Sequence, residues 1–185
     1  MRANPERRTA LVDAAIEVLA ADGARGLTFR SVDVTAGVPN GTTSNYFSSR
    51  DDLLLQSGLR VHDRLGADSA HLGQPPSPEF LTSLPQLLRD RLTRDRAGYL
   101  ALLELRLEAT RRPALQEALA ERVRANLDEN IRLHREHGLP GDPLLFYLTI
   151  GGFMLEQLTL PGVLPDGLLE KVVEHGVRGF VGGGP

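Results

Sequence analysis

Apolar residues recur with a helical period along almost the whole chain, and no run of four to eight residues alternates convincingly between flanking turn signals. A chain patterned this way has to bury helix faces against helix faces, so the expected fold is all-α without a sheet. Leu11, Ala14, Ala15, Val18 and Leu19 lie on one face of a first helix. Asn4-Pro5-Glu6 supplies its start with a cap, a proline at the first helical position and an acid on the positive helix end. Gly23 is its expected stop. A short second segment runs from Thr28 to Ala36 and meets Gly37, and a third covers Asn40 to Phe47. Ser49-Arg50-Asp51-Asp52 has the spacing of a capping box. It opens a longer helix through Leu53, Leu54, Leu59 and Val61 towards Ala70.

The run Gly73-Gln74-Pro75-Pro76-Ser77-Pro78 is the clearest break and reads as a loop. Helices are expected beyond it at about 79–94, 96–111, 113–137, 143–160 and 166–181. Arg111-Arg112-Pro113, Gly138-Leu139-Pro140-Gly141 and Pro161 to Pro165 separate them. Leu115, Leu119, Val123, Leu127 and Ile131 form a spacing-of-four stripe down the longest of these helices. The sequence shows no internal repeat, and Gly182-Gly183-Gly184-Pro185 reads as a frayed tail.

With 185 residues the chain suits one domain or a small head joined to a larger body. Its 41% hydrophobic and 24% charged residues describe a globular protein. The absence of cysteine excludes a disulfide scaffold, a thiolate zinc site and a cysteine nucleophile together. The longest nearly apolar stretch, Leu144 to Leu155, stops at Glu156, short of the roughly 18 residues a membrane span needs. Met1-Arg2-Ala3-Asn4-Pro5-Glu6 lacks the apolar run of a secretion signal, so a cytoplasmic protein is expected. The net charge is −3, unevenly placed: six arginines against five acids leave residues 1–50 at +1 and the rest at −4. Any DNA contact therefore has to come from a few well-placed groups on the first fifty residues.

Three short helices followed by a long one fit a helix-turn-helix. Ser31 to Ala36 would be its first helix, Gly37-Val38-Pro39 the turn and Asn40 to Phe47 the reading helix. Asn40, Gly41, Thr42, Thr43, Ser44, Asn45 and Tyr46 offer short hydrogen-bonding groups or a close backbone approach, which suits base edges and phosphates. Short polar residues after Gly-Val-Pro also describe a surface loop. Val32, Val38 and Phe47, spaced to pack inward, favour the folded unit.

The stretches Gly26-Leu27-Thr28-Phe29-Arg30-Ser31-Val32, Ala36-Gly37-Val38-Pro39-Asn40-Gly41-Thr42, Tyr46-Phe47 and Ser49-Arg50-Asp51-Asp52-Leu53 resemble the DNA-binding head of the TetR family of transcriptional regulators. The resemblance covers residues 7–57, and the helical remainder is compatible with that family's body. It implies a DNA-binding domain over 1–50 and an effector-binding and dimerisation domain over 51–185. Arg30 then occupies a position that reaches a base or phosphate. Asn40, Gly41, Thr42, Thr43 and Asn45 belong to the segment facing the major groove. Tyr46 is a phosphate-bonding aromatic, Arg50 the basic residue opening the fourth helix, and Phe47 the aromatic locking the reading helix to the core. Three departures stand out. Asp33 replaces a usual small alanine, Pro39 a cap-like serine, and Thr43-Ser44 an aliphatic-tyrosine pair, although one branch of the family carries Val-Pro-x-Gly-Thr-Thr. For Asp33 two readings stay open, an acceptor at a helix amino terminus or an exposed side chain.

The resemblance further implies a homodimer through residues 143–160 and 166–181, bound to a double-stranded, near-palindromic operator and released by a small-molecule effector. Leu144, Leu148, Gly151, Gly152, Leu155 and Leu158 on one helix, with Leu169, Val172, Val173, Val177 and Phe180 on the next, are compatible with it. The glycine pair would permit close packing between chains or relieve crowding within one. Candidate effector-lining residues are Phe80, Leu84, Leu88, Tyr99, Leu103, Leu107, Phe146 and Phe153, a mostly apolar set that points to a modest apolar molecule. Glu104, Arg106 and Glu156 could pair with a polar ligand, though a solvated face or an internal pair is the favoured reading.

His134 and His137 with Glu136 do not make a metal site, because zinc needs a third converging ligand. No catalytic pair, phosphate loop or nucleophile motif is present in the sequence, and no cofactor is implied. Three readings follow: a ligand-responsive repressor, a DNA-binding regulator that lacks an effector or activates, and a helical enzyme or scaffold whose 37–47 segment is a loop.

Overall fold

The structure, a computed structural model, describes residues 4–70, 78–139 and 141–181, with side chains for all of these except 67–70, 78–82 and 175–181. Of the loop read over Gly73 to Pro78, residues 73–77 lie outside it, as does the tail 182–185, while Pro78 is helical. The described residues are helical, in the order α1 (Pro5–Gly26), α2 (Phe29–Thr35), a single 3-10 turn (Thr43–Asn45), α3 (Arg50–Ala70), α4 (Pro78–Arg94), α5 (Arg96–Ala109), α6 (Pro113–Glu136), α7 (Pro143–Thr159) and α8 (Leu168–Val181). The all-α expectation holds, and the later boundaries agree within about two residues, the uncertainty of any helix end.

The chain divides into two compact units, Met1–Ala70 with Ala97–Val123, and His71–Arg96 with Arg124–Pro185. The boundary read at residue 50 falls inside the first of these. Leu53, Leu54 and Val61 of α3 are fully buried in one core with Leu11, Ile16 and Leu19 of α1. In that first unit Asn4 caps α1, its side-chain oxygen accepting from the amides of Glu6 (3.0 Å) and Arg7 (3.2 Å). Such a cap contributes about 1 kcal/mol. Gly23 breaks the helical geometry of α1 with φ 67° and ψ −176°, but one more turn follows, so the helix kinks there and stops at Gly26. A φ of this sign is strained for any residue with a β-carbon, which accounts for the glycine. The corner between α5 and α6 is tied to the start of α3 by Arg112, whose Nε lies 2.9 Å from Asp51 and whose Nη1 donates to Glu108.

In the second unit α4 packs on α8 and α7. Leu88, Leu92, Phe153, Leu158, Leu169 and Val173 are buried apolar residues along these helices, and Arg89 reaches Glu170 at 2.6 Å while lying over the Phe153 ring. Asp142 caps α7 by accepting from Leu144 (2.7 Å) and Leu145 (3.3 Å). α7 keeps an apolar face in the open: Leu145 and Leu148 are about two-thirds exposed, and Leu144 and Leu155 nearly half. Gly151 and Gly152 are exposed too, with nothing among the described residues within 4 Å of where a β-carbon would stand. Among the described residues, the reading in which they relieve crowding within one chain therefore finds no contact to relieve. Val177 and Phe180 lie outside the described side chains.

Candidate nucleic-acid interface

The second helix of the sequence reading forms as expected. Thr28 caps it in a reciprocal box with Ser31, whose amide donates to Thr28 Oγ1 while Ser31 Oγ accepts the Thr28 amide. It closes where Gly37 and Val38 donate to the carbonyls of Val34 and Asp33 at 3.1 and 3.0 Å. The reading helix does not form over Asn40 to Phe47. Only Thr43–Asn45 makes a 3-10 turn, flanked by turns. The reason is local. Pro39 has no amide, Gly41 takes φ +88°, and short side chains compete for the backbone: Thr42 Oγ1 donates to Pro39 O at 2.6 Å and Ser44 Oγ to Gly41 O at 2.8 Å.

Asp33 organises this segment. It is 1% exposed. Its Oδ2 accepts the Gly41 amide at 2.7 Å, and its Oδ1 accepts both the Thr43 amide at 2.7 Å and the Thr43 hydroxyl at 2.6 Å. Burial alone would push this carboxyl up. The Thr43 hydroxyl and the amides of Thr43, Gly41 and Thr42 outweigh that and hold it below its ordinary 3.8. Of the two readings left open for Asp33, the acceptor at the start of the reading segment is the one realised. Two departures from the family pattern thus become one. A carboxylate stands at the alanine position and a hydroxyl at the aliphatic position, and they satisfy each other.

Arg30, Asn40, Gly41 and Asn45 are exposed, and Thr42 and Tyr46 are half-buried, Tyr46 against the core. Two of the residues expected to face DNA do not. Thr43 is fully buried, its hydroxyl committed to Asp33, so it supports the segment from behind. Arg50 turns back into the protein, Nε donating to Leu27 O at 3.0 Å and Nη2 to Ala24 O, carbonyls at the end of α1 where helical partners run out and Ala24 O otherwise holds the Leu27 amide at 3.3 Å. The capping box at α3 is also shifted. Ser49 Oγ accepts the Asp52 amide as expected, whereas Asp52 reaches back to the amide of Ser48. Phe47 is buried as read. Arg8, which the sequence reading did not single out, lies over its ring at 4.9 Å and donates to Gln56 at 3.1 Å. No local pattern links Arg8 to a phenylalanine 39 positions away.

The effector candidates fall into both units. Leu84, Leu88, Phe146 and Phe153 belong to the second, Leu88 and Phe153 buried and the other two half-buried. Tyr99 and Leu103 are half-buried in the first. Leu107 is 59% exposed and is withdrawn from the set, since it sits on the outer face of α5. Phe80 lies outside the described side chains. Two open clefts are described. One is lined by Arg25, Leu27, Thr28, Phe29 and Arg50, the other by residues of the 134–143 corner, and none of the candidates borders either. Among the described residues there is no cluster of metal-ligating side chains, and no helix is long and apolar enough to cross a membrane.

Residues 11–56 match the sequence pattern of "Bacterial regulatory proteins, tetR family", and residues 76–183, more than half of the chain, match "Tetracyclin repressor-like, C-terminal domain". No curated protein matches. Among solved structures, the multidrug binding protein EbrR complexed with imidazole is 28% identical, the match covering 94% of this chain and 96% of that one with a TM-score of 0.68. EbrR also matches as complexes with ethidium, proflavin and malachite green. A member of the TetR family from Streptomyces coelicolor A3 is 28% identical over 94% of this chain and 99% of that one, TM-score 0.74. A transcriptional regulator from Rhodococcus sp. Rha1, 19% identical, covers 97% and 96% at TM-score 0.75 and speaks for the fold alone. With its helix-turn-helix head and its helical body both matched, the chain belongs to the TetR family and is a DNA-binding transcriptional regulator.

Proposed function

We propose that the protein is a repressor that holds a near-palindromic operator as a homodimer and lets go of it when a small molecule binds its body. The observation that carries the dimer is the open apolar face of α7, where four leucines flank two unencumbered glycines. Contiguous exposed apolar area of this kind marks an interaction surface. A two-fold pairing of the same face on two chains closes without leaving an open edge. α7 and α8 are the helices proposed to meet their copies, and two heads then read successive major grooves about 34–36 Å apart.

On each head Arg30, Asn40, Gly41, Thr42, Asn45 and Tyr46 face the DNA, with Thr43 and Arg50 as supports. The similarity to EbrR, solved with four different small molecules, supports an effector. Leu84, Leu88, Phe146 and Phe153 of the second unit are the residues proposed to line its site. A ligand need only bind the free and DNA-bound states with affinities differing by ~1–3 kcal/mol to release the operator.

Selection of bound duplexes from a random library tests the reading. Enrichment of a near-palindrome, with affinity falling steeply as salt rises, is the expected result. A folded protein that enriches no duplex at low salt refutes it. Ligands that raise the melting temperature should weaken operator binding in parallel. If none does both, the regulator acts without an effector.

A further inference from the structure

The buried carboxylate of Asp33 sits directly behind the segment proposed to read DNA, and everything it grips is neutral: the amides of Gly41 and Thr43 and the hydroxyl of Thr43. A negative charge at this place opposes the approach of phosphates, so its benefit has to come from geometry. Hydrogen bonds supply that benefit because they are directional. An alanine packed on an aliphatic side chain would keep the segment near α2 without fixing its orientation, since apolar contact has no preferred direction. Three bonds of 2.6–2.7 Å to one carboxylate fix both the height of the 3-10 turn and the amide plane of Gly41, whose φ of +88° only glycine adopts comfortably. The exposed groups Asn40, Gly41 and Asn45 and the half-buried Thr42 hang on that backbone.

We propose that Asp33 is a positioning residue for operator reading, setting the backbone that presents Asn40, Gly41, Thr42 and Asn45 and thereby the discrimination between operator and other DNA. The inference rests on the proposed reading role of this segment. Phosphate contacts tolerate small displacements, whereas base-edge hydrogen bonds do not, so loosening the clamp should reduce sequence preference before it reduces general DNA affinity.

The test compares the wild type with Asp33→Asn and with the double variant Asp33→Ala/Thr43→Leu, which restores an apolar pair. Each is titrated with the duplex that the wild type selects and with a random-sequence duplex of equal length. Circular dichroism gives helical content, and amide hydrogen exchange reports Gly41 and Thr43. Asp33→Asn keeps one acceptor oxygen and puts an NH2 group in place of the other, so the Gly41 amide should exchange faster where the oxygen stays on Thr43, and the Thr43 amide faster where it stays on Gly41, at unchanged helical content. The expected result in both variants is a fall of roughly tenfold or more in the operator-to-random affinity ratio, with random-duplex affinity near the wild-type value. A merely structural role would lower the folded fraction and reduce both affinities alike, leaving the ratio unmoved. A ratio within about twofold of wild type in Asp33→Asn overturns the proposal, whether or not the double variant folds. If the wild type itself selects no duplex, the operator reading fails first and takes this inference with it.

Discussion

Glu104 on α5 accepts the backbone amide of Ala24 at 3.0 Å, at the point where Gly23 breaks α1. The kink strips that amide of its helical partner, and a carboxylate 80 residues away in sequence satisfies it. The same corner offers the carbonyls of Ala24 and Leu27 to Arg50. One helix of the later sequence and the first residue of α3 thus jointly hold the joint from which α2 and the reading segment depart. Glu104→Ala should destabilise the protein by about 1–3 kcal/mol, the range for a part-buried hydrogen bond to a charged group. Thermal unfolding measures it, and an unchanged melting temperature would show that water replaces the carboxylate without loss.

Arg30 and Arg50 should separate cleanly. Arg30 is exposed, so Arg30→Ala should weaken operator binding by roughly 1–3 kcal/mol if it reads a base and leave the melting temperature unmoved. Arg50→Ala should lower the melting temperature, because Leu27 O loses its side-chain donor and Ala24 O is left with the Leu27 amide at 3.3 Å. Operator binding then falls with the folded fraction. Equal melting temperatures for the two variants would contradict the inward assignment of Arg50.

Two groups give stability a distinct dependence on pH. The folded state holds Asp33 below its ordinary 3.8, so its contribution is present above that value and is lost as pH falls through the folded value. The folded state also lowers His62 from its ordinary 6.5, first by burial and then by Arg106 and Arg122, and its Nε2 has no hydrogen-bond partner among the described residues. The unfolded chain therefore takes up this proton more readily, and stability should decline as pH falls below about 6.5. Denaturant midpoints followed from pH 7 to pH 3 should lose their upper step in His62→Leu. Asp33→Asn should remove part of the lower one. Unaltered profiles in both variants would exclude these groups as the source.

The α7 face makes a prediction of opposite signs. In an isolated chain Gly151→Ala meets no atom of the described residues within 4 Å and gains about 1 kcal/mol of helix propensity. Where two chains approach through these glycines, the added methyl groups should weaken the dimer despite the better helix. Sedimentation equilibrium distinguishes the two. Leu148→Glu should go further and leave a 20.2 kDa monomer, because a charge would be buried in the interface. A dimer as tight as wild type in both variants would move the interface off this face.

The helices were legible because their period, caps and breakers act over a few residues: Asn4-Pro5, Thr28, Ser49 and Asp142-Pro143 each satisfy amides within one turn of themselves. The head was legible because a run of particular residues is shared by a known family. Thr43 and Arg50 were misplaced for the converse reason. A hydroxyl or a guanidinium looks the same in the sequence whether it meets DNA, a buried aspartate or an internal carbonyl. The reading segment was expected to be a helix because its length and flanks fit one. The acceptor that holds the Gly41 amide is Asp33, eight residues earlier, and no local pattern announces it.

By itself the sequence determined an all-helical chain, the breaks between its elements and a polar segment framed by Val32, Val38 and Phe47, since these follow from local propensity and from which side chains avoid water. The tertiary structure alone decided which polar groups turn inward. Asp33 with Thr43, Glu104 with Ala24 and Arg50 with the α1–α2 corner are pairings across 10 to 80 residues. A buried hydrogen bond forms only where packing has already brought donor and acceptor together, and the sequence order carries no record of that distance.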